Sequence, residues 1–162
     1  MGSYGDTDRA HLARAIELAP NGADAVRPNP VVGAVVARDG RVLGEGWHEA
    51  YGAAHAEVNA IEACGLEDLS EATLYVSLEP CCHEGKTPPC TDAILQAGLR
   101  RVVVGSDDPT EKASGRGLGM LRDEGVDVVM ADGELAERAR LLNQASASTP
   151  APAARGFSSS RR

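Results

Sequence analysis

Aromatic side chains are scarce: one tryptophan, three tyrosines and one phenylalanine among 162 residues. A core must therefore be built from aliphatic residues and alanine. Few platforms exist on which single-stranded nucleic acid could stack its bases. Lysine is scarce too, at Lys86 and Lys112 only, and the formal net charge is −8. A general binder of phosphate backbones carries the opposite sign. No nucleic-acid partner is expected, and a small-molecule substrate is favoured. No stretch is long or apolar enough to span a bilayer, so no membrane partner is expected. The opening Met1-Gly2-Ser3-Tyr4-Gly5-Asp6 has neither a basic start nor an apolar run, so no secretory signal is expected. Cysteine is limited to four residues. Without export these are expected as reduced thiols in the cytoplasm.

What the chain does have is concentrated. Three of the four cysteines, Cys81, Cys82 and Cys90, fall in one stretch, Leu78-Glu79-Pro80-Cys81-Cys82-His83-Glu84-Gly85-Lys86-Thr87-Pro88-Pro89-Cys90. Upstream lies His55-Ala56-Glu57. Together they offer an imidazole, at least two thiols and a carboxylate. A catalytic zinc takes three such ligands, leaves a fourth position open to water, and works with a base beside it. A His-x-Glu followed by Pro-Cys and a second cysteine is the signature of the zinc deaminases, in which the Glu is not a ligand. A structural zinc would need a fourth protein ligand, for which Cys82 or His83 can be proposed. Two adjacent cysteines on one ion strain the geometry, however, and a closed site has no use for Glu57. Cys64 stands outside the motif and reads as core. Taken alone, Asn29 reads as a turn residue and His48 as an exposed strand end.

Around this stretch the apolar pattern predicts a helix over 8–19 closed by Pro20-Asn21-Gly22, then an extended, stiff Arg27-Pro28-Asn29-Pro30. Strands follow at 31–37 and 42–47, joined at Asp39-Gly40. A helix at 53–64 stops at Gly65. A strand at 73–78 leads into the cysteine loop, and a helix runs from Cys90 to Gln96, closed by Gly98. A strand at 102–104, a helix at 118–124, a strand at 126–130 and a helix at 134–144 complete the pattern. Alternating helices and strands imply parallel pairing with right-handed crossovers. The expected fold is α/β: a three-layer α/β/α sandwich on a five-stranded mixed sheet with an antiparallel edge hairpin. Strand C-termini and helix N-termini then meet at one edge, where ligands bind. The positive end of the helix at Cys90 is expected to favour thiolate there. Gly85-Lys86-Thr87 and Gly115-Arg116-Gly117-Leu118-Gly119-Met120 fall short of nucleotide-binding motifs and read as flexible turns. Residues 6–145 are expected to form one zinc-dependent domain, and the Ser/Ala/Pro/Arg-rich 146–162 a disordered tail.

The chain resembles the deaminase domain of the bifunctional riboflavin-biosynthesis enzymes, the diaminohydroxyphosphoribosylaminopyrimidine deaminases. The resemblance rests on Pro28-Asn29-Pro30-Val31-Val32-Gly33, Gly46-Trp47-His48, His55-Ala56-Glu57-Val58, Leu78 through Cys90, Asp108-Pro109 and Gly115-Arg116-Gly117. It implies a cytidine deaminase-like fold and a Zn²⁺ cofactor held by His55, Cys81 and Cys90. It also implies Glu57 as proton shuttle, with Cys82 not a ligand. Substrate contacts are implied at Asn29, His48, His83, Lys86 and Asp108, with Thr87 flanking Lys86 where a phosphate-bearing arm would lie. The implied activity is hydrolytic deamination of that aminopyrimidine, with release of ammonia. Thr110-Glu111, Ala113 and Ser114 depart from the usual pattern. They motivate an alternative, a paralogous deaminase of a related aminopyrimidine or purine in specialised metabolism. A non-catalytic zinc module and a nucleic-acid editing deaminase are disfavoured by Glu57 and by the acidic charge. Deaminases of this architecture often pair, which leaves a homodimer open. Within the riboflavin pathway, the reductase is expected on a separate protein.

Overall fold

The computed structural model describes residues 4–81, 89–107 and 115–148, with side chains in the last helix up to residue 142. Helix α1 spans Asp6–Leu18 and runs into a 3-10 turn at Ala19–Gly22. Strands β1 (Gly33–Arg38) and β2 (Arg41–Trp47) follow, then α2 (Ala56–Ala63) and β3 (Thr73–Leu78). After them come α3 (Cys90–Gln96), β4 (Arg101–Ser106), α4 (Arg116–Asp123), β5 (Asp127–Met130) and α5 (Gly133–Ser148). The five strands form one sheet in the order β2-β1-β3-β4-β5. β1 is antiparallel to both neighbours, whereas β3, β4 and β5 are parallel. This is the expected mixed sheet with its edge hairpin. Asp39 (φ 54°) and Gly40 (φ 80°) make that hairpin turn, whose right-handed twist requires positive φ at both positions.

Alternation along the strands sorts side chains into two cores. Val102 and Val104 join Leu74, Val76, Ala34 and Val36 beneath α2, α3 and α4, around Ala60, Ile94 and Leu121. Val103, Tyr75 and Val35 face the other way, onto Leu12, Ala15 and Ile16 of α1 and Ala139 of α5. The sheet is thus covered on both faces by aliphatic side chains and alanine. On β2, Gly46 lets α2 lie almost on the strand: a β-carbon there would stand 2.5 Å from the Ala60 nitrogen. That close approach sets the height of α2 over the sheet, and with it the place of His55 and Glu57.

Three local expectations are corrected. The segment at Pro28 turns rather than extends: the Arg27–Pro28 peptide is cis, and the Asn29 N–H donates to the Val26 carbonyl at 2.8 Å. This is the turn made by a cis proline at its third position. The segment at Gly115 is no loose turn, because helix α4 begins at Arg116 directly after it. Helix α5 continues through residues 146–148, which the composition had placed in the tail. Ala145 and Ala147 are strong helix formers, and the first breaker is Pro150. Residues 149–162 lie outside the described residues. Among those described, no helix is long and apolar enough to cross a membrane.

Candidate active site

Three elements bring the donors together. His55 is the N-cap of α2, and Glu57 lies in its first turn. Cys81 follows β3 by three residues, and Cys90 is the first residue of α3. His55 Nδ1 stands 3.1 Å from Cys90 Sγ and 3.6 Å from Cys81 Sγ. All three ligand atoms lie within 4.8 Å of one another. Zinc bonds of about 2.3 Å to sulfur and 2.0–2.1 Å to nitrogen set tetrahedral ligand-to-ligand distances of about 3.5–3.8 Å. The triad therefore fits zinc in donor type and in spacing. Backbone geometry tightens it further: the Cys90 N–H donates to Cys81 Sγ at 3.2 Å, and the Thr91 N–H to the Cys81 carbonyl at 3.2 Å.

The Cys90 thiol, then His55 and the Cys90 N–H, hydrogen-bond to Cys81 and bring it down to about 4 against the cost of its burial. The bond to Cys81 and burial push Cys90 up. The hydrogen bonds that converge on Cys81 favour thiolate at that sulfur. The hydrogen bond to Cys81 raises His55. Glu57 is 3% exposed, and burial lifts its carboxyl to about 7.

A second layer holds the first. His48 is 2% exposed, so the expectation of an exposed strand end fails. The turn at Pro28 folds Asn29 over it: Asn29 Nδ2 lies 3.2 Å from His48 Nε2, and His48 Nδ1 lies 3.2 Å from the Ala54 carbonyl. A carbonyl only accepts, so Nδ1 carries the proton and Nε2 accepts from Asn29. Burial lowers the pKa of His48 and keeps the ring neutral. Its ring packs edge-on against His55, with centroids 4.8 Å apart. Asn59 donates to the Trp47 carbonyl at 2.8 Å and to the Ala54 carbonyl at 3.3 Å, pinning the residue before His55. Glu79, 4% exposed, turns its carboxylate onto the start of α4. Neither Asn59 nor Glu79 was singled out from sequence. The available signals were a polar residue one turn beyond His55 and a carboxylate ending an apolar strand. His83, Lys86, Thr87 and Asp108, expected at the substrate, lie outside the described residues, as does Cys82.

A three-donor cluster with a buried acid beside it, at the helix-capped edge of a mixed sheet, defines a zinc-dependent hydrolytic deaminase. The chain belongs to the family described as the cytidine and deoxycytidylate deaminase zinc-binding region, whose model matches residues 6–106. Within it, the chain is 47% identical over 121 residues to the diaminohydroxyphosphoribosylamino-pyrimidine deaminase of Buchnera aphidicola subsp. Schizaphis graminum, covering 75% of this chain and 82% of that one. It is 45% identical over 137 residues to the riboflavin biosynthesis protein RibD of Escherichia coli, covering 85% of this chain but only 36% of that protein. A crystal structure from Thermotoga maritima, named as a diaminohydroxyphosphoribosylaminopyrimidine deaminase and 5-amino-6-(5-phosphoribosylamino)uracil reductase, superposes with a TM-score of 0.79 at 47% identity. That match covers 85% of this chain and 39% of the Thermotoga chain. The resemblance read from the motifs and the fold expected from them both hold, and zinc is the family's metal.

Proposed function

We propose that this chain removes the amino group from the pyrimidine for which its Buchnera and Thermotoga relatives are named, by hydrolysis, releasing ammonia. The observation that carries the reading is the pairing of a buried carboxyl, Glu57, with the His55–Cys81–Cys90 triad, whose His55 caps the same helix N-terminus. His55, Cys81 and Cys90 would hold zinc, which when bound makes water a nucleophile at neutral pH. Glu57 takes a proton from the attacking water and delivers it to a ring nitrogen; it then takes the second proton from the hydroxyl added at the carbon and passes it to the amine, which leaves as ammonia. The exocyclic C–N bond breaks, a carbonyl replaces the amine, and Glu57 ends as it began. Asn29, whose amide donates to the neutral His48, is assigned to the substrate ring together with His48. His83, Lys86, Thr87 and Asp108 are assigned to the rest of the substrate, its phosphate arm included.

Ammonia release and zinc content test the reading together. The riboflavin-pathway aminopyrimidine is the expected substrate, with cytosine, guanine and their nucleosides inert. A preference for one of those instead would support the alternative motivated by Thr110-Glu111, Ala113 and Ser114. Pairing into a homodimer and action beside a reductase on a separate protein are further parts of the proposal. Light scattering, and reconstitution with an added reductase, check them.

A further inference from the structure

Cys81 sits on a two-residue step beyond β3, and the step is held from an unexpected side. The Glu79 N–H donates to the Ser106 carbonyl at 2.8 Å, which keeps the chain beside the end of β4. The Glu79 carboxylate then accepts backbone N–H groups of Gly115 at 2.9 Å, Gly117 at 2.9 Å and Leu118 at 3.3 Å. Charge-assisted bonds of this kind are the strong ones, and the N-terminus of a helix favours a carboxylate. The backbone closes the joint. A β-carbon on Gly117 would lie 2.1 Å from the Pro80 carbonyl oxygen, so the first turn of α4 rests directly on the Pro80 peptide. On the other side, the Thr91 N–H grips the Cys81 carbonyl.

We infer that Glu79 is a positioning residue for the metal centre: by locking Pro80 onto the start of α4, it sets where the Cys81 sulfur stands. Cys81 is then clamped between two helix N-termini, α3 through Cys90 and Thr91, and α4 through Glu79. The same carboxylate holds Gly115, the residue before α4, so the start of that helix and the candidate metal ligand are anchored on one residue. The inference rests on the reading of Cys81 as a zinc ligand. Anchoring groups behind metal ligands typically change metal affinity by about 10–100-fold when removed. A glutamine at 79 keeps the shape but turns an N–H toward backbone N–H donors.

Two measurements test it. The first is chelator competition for zinc, with the spectrum of the cobalt-substituted protein, on Glu79→Gln and on Asp8→Asn, a variant of the opposite end of the sheet. Zinc binding about 10–100-fold weaker and an altered sulfur-to-cobalt band are expected for Glu79→Gln alone. Unchanged affinity in Glu79→Gln, or equal weakening in Asp8→Asn, overturns the inference. The second uses the native chain and is unaffected if Glu79→Gln fails to fold. Amide hydrogen exchange is compared with and without zinc. The Gly117 and Leu118 amides should exchange at least ~10-fold faster in the stripped protein, while those of Leu12 and Ile16 do not change. No change at 117 and 118, or a uniform change throughout, overturns it. A native chain that takes up no zinc at all overturns the ligand reading, and this inference with it.

Discussion

Two buried polar clusters sit on the same central strands, at opposite ends. Beyond the C-terminus of β3 lie His55, Glu57, Cys81 and Cys90. Near the N-termini of β3 and β4, Arg101 clamps Asp8 of α1 with two hydrogen bonds of 2.9 Å, and Tyr75 donates to the same carboxylate at 2.7 Å. The bond from Arg101 holds Asp8 down at about 2, and burial with the Asp8 bond drives Tyr75 up to about 12. Every proton there is settled far from neutral pH. At the other end, burial lifts the Glu57 carboxyl to about 7, within reach of neutral pH. One fold spends its buried polarity in two ways. At one end, groups paired with opposite partners fasten α1 to the sheet; at the other, one buried acid stands beside a set of soft donors, the arrangement proposed above for catalysis.

Substitutions should separate the two ends cleanly. His55→Ala should lose zinc and all measurable ammonia release, because two thiols alone do not complete the ligand set; metal analysis reads this directly. Glu57→Gln should retain zinc yet turn over ~10²–10⁴-fold more slowly, since it removes acid–base work alone. Asp8→Asn should do the reverse. It leaves Arg101 short of its counter-charge, and we expect about 2–3 kcal/mol lost in denaturant unfolding, with zinc content and turnover retained. The smallest effect is a pH dependence. Asp8 lies below its ordinary value of 3.8, so its contribution is complete above about pH 4 and is lost as the pH falls toward 2. Allowing for solvent at the partly exposed Arg101, native stability should drop by about 1–2 kcal/mol more than that of Asp8→Asn between pH 5 and pH 2.5.

Much of the scaffold was legible in the residues. The β-branched run at Thr73–Leu78 and the Asp39-Gly40 turn carry their own local instructions, and the alternation of elements carries the sheet. The candidate metal donors that the structure brings together were legible because soft ligands cluster in sequence. The rest depends on contacts remote along the chain. Glu79 meets backbone groups 36–39 residues away, and nothing at position 79 announces a helix cap. The glycines at 115 and 117 looked like slack, yet Gly117 is there because the Pro80 carbonyl leaves no room for a side chain. His48 looked exposed at a strand end, until the cis turn at Pro28 brought Asn29 over it. Composition misread the end of α5, where alanines outweigh the serines between them.

The central claim, one ion gripped by a nitrogen and two sulfurs with a place left for water, is most directly tested by X-ray absorption at the zinc edge of the native protein. One zinc per chain is expected, with two sulfurs at about 2.3 Å and the remaining neighbours nitrogen or oxygen at about 2.0 Å. A third sulfur in the coordination shell, or a chain that holds no zinc, would contradict it.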